Sequence, residues 1–245
     1  MHSEPTWFDY WESAAGQTDR AWHTEIFSRF ASEPVACTVQ LGSPEVAAID
    51  CVKSALRISA LDRVPANSPL TYPTSTLLCE ARAVPLQSES VDLVLWPHGF
   101  ERSEDPDATL SEIHRILCPE GRLIVTFFNR FGFWSIKRHL PFAVSPLPQS
   151  VIALTTSEAK TRLLAAGLTC QSGAFGVYAT HRDEARKSLL DLAGDRWWPT
   201  LANLVVLCAR KKTLGTHLIG KAQFSEPQFS PLQIVPSGSA NKEAL

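Results

Sequence analysis

An α/β sheet is the fold class that this 245-residue sequence predicts. Three observations predict it. Short apolar runs of strand length recur through the middle of the chain, segments with helical spacing alternate with them, and turns containing Pro or Gly separate the two. With 44% hydrophobic residues there is material for one substantial core, so the chain fits one domain or one domain with extensions.

The elements follow in order. Trp7, Phe8, Tyr10, Trp11, Trp22, Phe27 and Phe30 are separated by polar residues, as in one or two amphipathic helices whose aromatic stripe packs on a core. Residues 1–34 are therefore read as an N-terminal helical extension. Residues 35–41 make a strand candidate. Residues 44–53 carry Val46, Ala47, Ile49 and Val52 at the spacing of a short helix, with Ser43 as N-cap, Pro44 at the first helical position and Glu45 near the positive end. Residues 56–61 read as a second strand, 65–73 as a Pro- and Ser-rich link, and 74–79 as a third strand.

Residues 91–96 form a buried strand candidate with Asp92 as its lone charge. Asp105 and Pro106 then open a helix on which Leu110, Ile113 and Leu117 share one face. Pro119 cannot continue it, so the helix is expected to stop at Cys118. Pro119-Glu120-Gly121 supplies a turn, and 122–128 is a strand, which makes a right-handed βαβ unit the expectation. Residues 129–148 are irregular, basic and aromatic. Thr155 and Glu158 fit a capping box for a helix ending at Gly167. Residues 168–178 and 204–209 are the last strand candidates, with an exposed charged helix expected over 180–195. Residues 213–245 lose periodicity and collect Pro, Ser, Gln and Gly, the composition of a disordered tail.

Composition excludes several functions. Lys plus Arg number 23 against 25 for Asp plus Glu, so the net charge of −2 supplies no field for nucleic acid. Cys37, Cys51, Cys79, Cys118, Cys170 and Cys208 are widely spaced with no C-x-x-C pattern. They read as small buried hydrophobes rather than a disulfide framework or a metal site. The start, MHSEPTWFDYWE, lacks a basic region followed by an apolar one, and no uncharged apolar run approaches membrane-spanning length. A reducing, cytoplasmic compartment is the expectation.

The block EARAVPLQSESVDLVLWPHGFE, followed by DPDATLSEIHRILCPEGRLIVTFFN, resembles the second half of a class I S-adenosylmethionine (SAM) dependent methyltransferase domain, of the UbiE-like, type 11 group. The matching positions are Glu80-Ala81, Val84-Pro85-Leu86, Ser90-Val91-Asp92, Asp105-Pro106, Arg115-Ile116-Leu117 and Pro119-Glu120-Gly121. The likeness covers residues 35–212. It implies a doubly wound, mostly parallel seven-stranded sheet with SAM across the carboxyl ends of the first strands. Within it, Gly42 matches the first glycine of the cofactor loop, with Ser43 beside it, and Glu80 and Ala81 match the acid-small pair next to the adenine. Trp96, Pro97 and His98 match the segment lining the methyl donor. Asp62 lies 20 residues beyond Gly42, where a ribose-binding acid is expected.

One stretch departs from that family. Where it carries a glycine-rich loop after the first strand, this chain reads VQLGSPEV and keeps only Gly42. Pro44 has no N–H to donate, and Glu45 places a negative charge where the SAM carboxylate would sit. Ser43 and the N–H groups of Glu45 and Val46 remain as a helix N-terminus able to receive that carboxylate. Two functions stay open: a SAM-dependent methyltransferase acting on a small molecule, or a catalytically inactive relative that binds a ligand or partner.

His98 and Glu101 follow the fourth strand, where this fold places a general base or a substrate contact, although a loop histidine with a hydrogen-bonded edge explains His98 equally well. His114 sits on the polar face of its helix and is read as solvated. Phe131, Phe133 and Trp134, interleaved with Arg130, Lys137 and Arg138, are read as a lid over a hydrophobic or anionic small molecule. Contact with a membrane surface and plain packing are the alternatives.

Overall fold

Buried side chains at residues 93–96 alternate between two cores. Val94 and Trp96 pack with Val39, Leu41, Leu110 and Ile113, whereas Leu93 and Leu95 pack with Tyr10, Trp11, Phe27 and Ile49. A strand that is apolar on both faces must be covered by helices on both sides. The computed structural model has that architecture and describes residues 6–62, 75–140, 145–148, 150–178 and 199–212. The link at 65–73, the helix expected over 180–195 and the tail at 213–245 lie outside the described residues.

The helices are α1 (Trp7–Glu12), α2 (Ala14–Phe30), α3 (Gly99–Arg102), α4 (Pro106–Ile116), α5 (Phe133–Lys137) and α6 (Thr156–Ala165). The strands are β1 (Val35–Leu41), β2 (Ser54–Leu61), β3 (Ser75–Leu78), β4 (Val91–Trp96), β5 (Leu117–Phe128), β6 (Leu168–Gly176) and β7 (Leu204–Lys211). They form one seven-stranded sheet in the order β3-β2-β1-β4-β5-β7-β6. Pairing is parallel from β3 through β5 and antiparallel where β7 joins β5 and β6. The order reverses between β1 and β4, and the carboxyl ends of strands flanking such a switch point leave a crevice.

Local chemistry accounts for the elements that form as expected. Asp105 caps α4 by accepting from the Ala108 N–H, with Pro106 at the first position. At α6 both bonds of the capping box between Thr155 and Glu158 are made, and Gly167 follows with φ +79. Asp92 accepts from the N–H groups of Ala36 and Cys37 at 3.1 and 2.8 Å, which ties the start of β1 to β4.

Three expectations are corrected. The helix over 44–53 does not form: Ser43 lies at φ +44, outside N-cap geometry, and only a 3-10 turn, Ala48–Cys51, interrupts the connection. The cause is the buried Gln40. Its Nε2 donates to the carbonyls of Gly42, Ser43 and Val46 at 3.3, 3.0 and 2.7 Å, and its Oε1 accepts from the Ile49 N–H at 2.9 Å. Carbonyls that a helix would offer to its own amides are thereby taken by a side chain. Second, Pro119-Glu120-Gly121 falls inside β5, as an irregularity where pairing with β4 shifts between Val91 and Leu93, and α4 ends at Ile116. Third, only Cys208 is fully buried; the other five cysteines are half-buried, and all six are free.

The N-terminal helices dock through a carboxylate. Asp19 and His23 lie one turn apart on α2, and both are wholly buried. Asp19 Oδ2 accepts from the Tyr10 hydroxyl of α1 at 2.5 Å and from His98 Nε2 at 2.9 Å. His23 Nδ1 lies 2.5 Å from Asp19 Oδ1 and 3.0 Å from its main-chain oxygen, while Nε2 meets Thr126 Oγ1 of β5 at 2.7 Å. Thr126 Oγ1 also accepts from the His98 N–H at 3.2 Å. Burial opposes the charge on Asp19, but His98 and His23, through charge and hydrogen bonds, more than offset it and hold the carboxyl below the usual range.

Removing that carboxylate strands the Tyr10 hydroxyl and His98 Nε2 without an acceptor and leaves His23 only the main-chain oxygen of residue 19. Asp19→Ala is expected to cost about 3–5 kcal/mol of unfolding free energy. Asp9→Ala, which removes only an exposed capping partner of Thr6, is expected to cost far less. Urea unfolding followed by far-UV circular dichroism checks both, and equal losses would contradict the role given to Asp19.

Candidate functional site

The crevice at the switch point is an open cleft of about 400 Å³, within the range of roughly 300–1,000 Å³ typical of small-molecule sites. The end of β1 contributes Leu41, Gly42 and Ser43 to its lining, the residue after β2 is Asp62, and Glu80 and Ala81 follow β3. Trp96 and Pro97 come from the end of β4, and Glu101 and Arg102 from α3. All seven residues expected to surround the cofactor, Gly42, Ser43, Asp62, Glu80, Ala81, Trp96 and Pro97, thus face one cleft. Parallel pairing of β1 with β2, β2 with β3 and β1 with β4 brings these ends together from distant parts of the sequence.

The β1 loop does not plug the cleft. Pro44 is not among the lining residues. Gly42 adopts φ +61, and a Cβ built there would meet nothing within 4 Å, so the space above it is free. The Ser43 hydroxyl donates to the Pro97 carbonyl at 2.8 Å and joins this loop to the one after β4. The expectation that Val46 offers its N–H to a ligand is corrected, because that group donates to the Ser43 carbonyl at 3.0 Å.

His98 is corrected as a catalytic group. It sits in the left-handed region at φ +49, has no exposed surface and does not line the cleft. Its ring lies 4.5 Å from Phe128 and 5.6 Å from both Trp7 and Trp11. Burial lowers its pKa despite the neighbouring Asp19, and its Nε2 is committed to that carboxylate at 2.9 Å. Nδ1 is sealed away without a hydrogen-bond partner. An imidazole enclosed in this way positions the turn after β4 and has no edge in the cleft.

The lid residues are likewise displaced. Trp134 is buried in the second core near Tyr10 and Phe128, while Phe131 and Phe133 are exposed, and none of the three lines the cleft. Trp7 of α1 lines it instead, with the Arg102 guanidinium 4.9 Å from its ring centroid. In the sequence Trp7 belongs to an aromatic stripe whose spacing matches core packing, so nothing distinguishes it. His114 is half-buried rather than solvated, its ring close to Gly167.

Glu101 is the unusual acid of the cleft. The Phe128 N–H donates to Oε1, whereas Oε2 is sealed from solvent with no partner. Burial, with a contribution from the Asp19 charge, pushes its pKa up to about 8. At pH 7 it is a neutral carboxylic acid, able to donate a hydrogen bond. With Glu101 neutral, Asp62, Glu80, Glu104 and Asp105 face the guanidinium groups of Arg82 and Arg102, so the lining carries four negative charges against two positive ones. A cleft of that sign favours a ligand with positive charge. Away from the cleft, Asp19, His23 and His98 bring possible metal-ligating atoms within 4.8 Å of one another. Both facing imidazole nitrogens are committed as donors to Asp19, which makes the trio a hydrogen-bonded hub. Among the described residues, no helix is long and apolar enough to cross a membrane.

Residues 31–125 match a family model described as a methyltransferase domain. The ubiquinone/menaquinone biosynthesis C-methyltransferase UbiE of Paraburkholderia phymatum is 29% identical over 116 residues, covering 47% of this chain and 36% of that relative. The chain therefore spans little more than a third of that relative's length. Among solved structures, a chain of the Haloferax volcanii complex of the Trm112 methyltransferase activator aligns with a TM-score of 0.60 at 19% identity, over 86% of this chain and 100% of that one. A SAM-dependent methyltransferase of Thermotoga maritima aligns with a TM-score of 0.53 at 18% identity, over 84% and 100% of the two chains. At these identities the likeness concerns the fold.

The raised pKa of Glu101 has a measurable consequence. A carboxyl that stays protonated in the fold up to about pH 8, but ionises near 4.5 when unfolded, makes stability fall as pH rises between those values. Glu101→Gln keeps an acceptor for the Phe128 N–H and removes the titration. The variant is expected to gain stability relative to the unaltered protein from pH 5 to pH 8, by on the order of a few kcal/mol. Denaturation midpoints at the two pH values measure this, and a difference independent of pH would refute it.

Proposed function

We propose that this chain, which carries a class I methyltransferase domain of the UbiE-like type, is an enzyme that binds SAM in the cleft above Gly42 and transfers its methyl group to a small molecule. The observation that supports it most is the convergence of Gly42, Ser43, Asp62, Glu80, Ala81, Trp96 and Pro97 on one open cleft at the switch point of the sheet. In this reading Asp62 accepts from the ribose hydroxyls, Glu80 and Ala81 flank the adenine, and Trp96 and Pro97 line the sulfonium. Methyl transfer is an in-line displacement at the sulfonium carbon, so the protein chiefly orients donor and acceptor and excludes water. SAM carries a sulfonium and an ammonium against one carboxylate. Its net positive charge suits the acidic lining.

No acid–base residue is obligatory for such a transfer, and Glu101, whose Oε2 is sealed from solvent, is given no part in it. The altered β1 loop is compatible with this reading, because Gln40 and Ser43 fix its path while leaving the space above Gly42 empty.

Isothermal titration calorimetry with SAM and S-adenosylhomocysteine is the decisive measurement. Micromolar binding is expected for both, weakened by about tenfold in Asp62→Ala, where a charge-assisted hydrogen bond to ribose is lost. Absence of heat at high protein concentration would sink the enzymatic reading and leave a methyltransferase-like binding protein.

A further inference from the structure

The cleft has acids along most of its length and a cation at its β1 end. Asp62 and Glu80 stand at the β2 and β3 ends, where a ligand carboxylate would meet like charge. Arg82, near them, is committed to Glu80 through an Nε–Oε2 contact of 2.6 Å. Arg102 is different. It lines the same cleft as Gly42 and Ser43, packs its guanidinium against Trp7, and meets its only carboxylate partner among the described residues, Glu45, loosely at 3.4–3.5 Å. Glu45 itself does not line the cleft, and its Oε2 makes no hydrogen bond of good geometry.

The loop below offers less of the usual alternative. Without an α-helix after β1 there is no helix N-terminus, and the Val46 N–H is already used. We infer that Arg102 anchors the carboxylate of the cofactor's amino acid moiety, replacing the main-chain donors that the β1 loop has lost, with Glu45 as the internal carboxylate that the ligand displaces. This rests on SAM being the ligand of the cleft. A guanidinium suits the task because it presents paired donors to both carboxylate oxygens, and stacking on Trp7 orients that fork without consuming an N–H.

The test compares two ligands that differ at that end. S-adenosylhomocysteine carries the amino acid carboxylate; methylthioadenosine keeps adenine, ribose and sulfur but lacks it. By calorimetry, Arg102→Gln is expected to weaken S-adenosylhomocysteine binding by about tenfold or more, leaving methylthioadenosine binding unchanged and thereby reporting an intact fold. Glu45→Gln is expected to tighten S-adenosylhomocysteine binding severalfold, because the internal competitor loses its charge. Unchanged S-adenosylhomocysteine affinity in Arg102→Gln, or equal loss for both ligands, overturns the assignment to Arg102 alone. Absence of S-adenosylhomocysteine binding by the unaltered chain overturns it together with the SAM reading.

Discussion

One buried carboxylate holds the two halves of this architecture together. Asp19 has no solvent contact and collects the Tyr10 hydroxyl, the His98 Nε2–H and the His23 imidazole from three separate segments. An ionised group in such a place is tolerable only when it is paired and hydrogen-bonded. Satisfying it therefore dictates where α1, α2, the turn after β4 and β5 must meet. The N-terminal helices are in consequence part of the sheet's cover, and their aromatic residues form one core with Leu93, Leu95, Ile124 and Phe128.

The same constraint reaches the cleft. His98 is pinned by Asp19 at its ring and by Thr126 at its N–H, which fixes the left-handed residue linking β4 to α3. That turn carries Pro97, whose carbonyl receives Ser43, and leads directly into Glu101 and Arg102. Trp7, delivered by the docked α1, completes the wall. A group that resembles a catalytic base by its place after the fourth strand instead sets the positions of the residues that do face the ligand space.

Much of the fold is legible in the sequence because the physics behind it is local. Apolar runs at residues 91–96 and 204–209, the Asp105-Pro106 cap and the Thr155/Glu158 capping box each carry their own cause within a few residues. That Gly42, Ser43, Asp62, Glu80, Ala81, Trp96 and Pro97 share one cleft was also legible, since the ends of parallel strands in this fold face one crevice wherever the intervening helices run. Three features were not. Ser43-Pro44-Glu45 has the composition of a helix start, but its conformation is decided by Gln40, whose amide competes for the loop's carbonyls in three dimensions. Asp19 and His23 look like ordinary polar positions of an amphipathic helix, and only the burial of both identifies a hub. Trp7 and Trp134 are both aromatic residues in aromatic-rich segments, yet one faces the cleft and the other the core, a difference set by how α1 and α5 pack.

The charge pattern of the cleft ties these observations to function. Gln40 fixes the path of the loop by taking the carbonyls of Gly42, Ser43 and Val46, and the Val46 N–H is used within the loop. In the proposed reading the Arg102 side chain meets an anionic end, while four carboxylates elsewhere in the lining favour positive charge. Glu101 would add a fifth were it not desolvated, and its neutrality lessens repulsion within an acid-rich cleft. A cleft acidic along most of its length, with one loosely held guanidinium at the β1 end, is electrostatically polarised along its length. On the proposed reading, that polarity would distinguish the two ends of a zwitterionic ligand through the fixed charges of the lining.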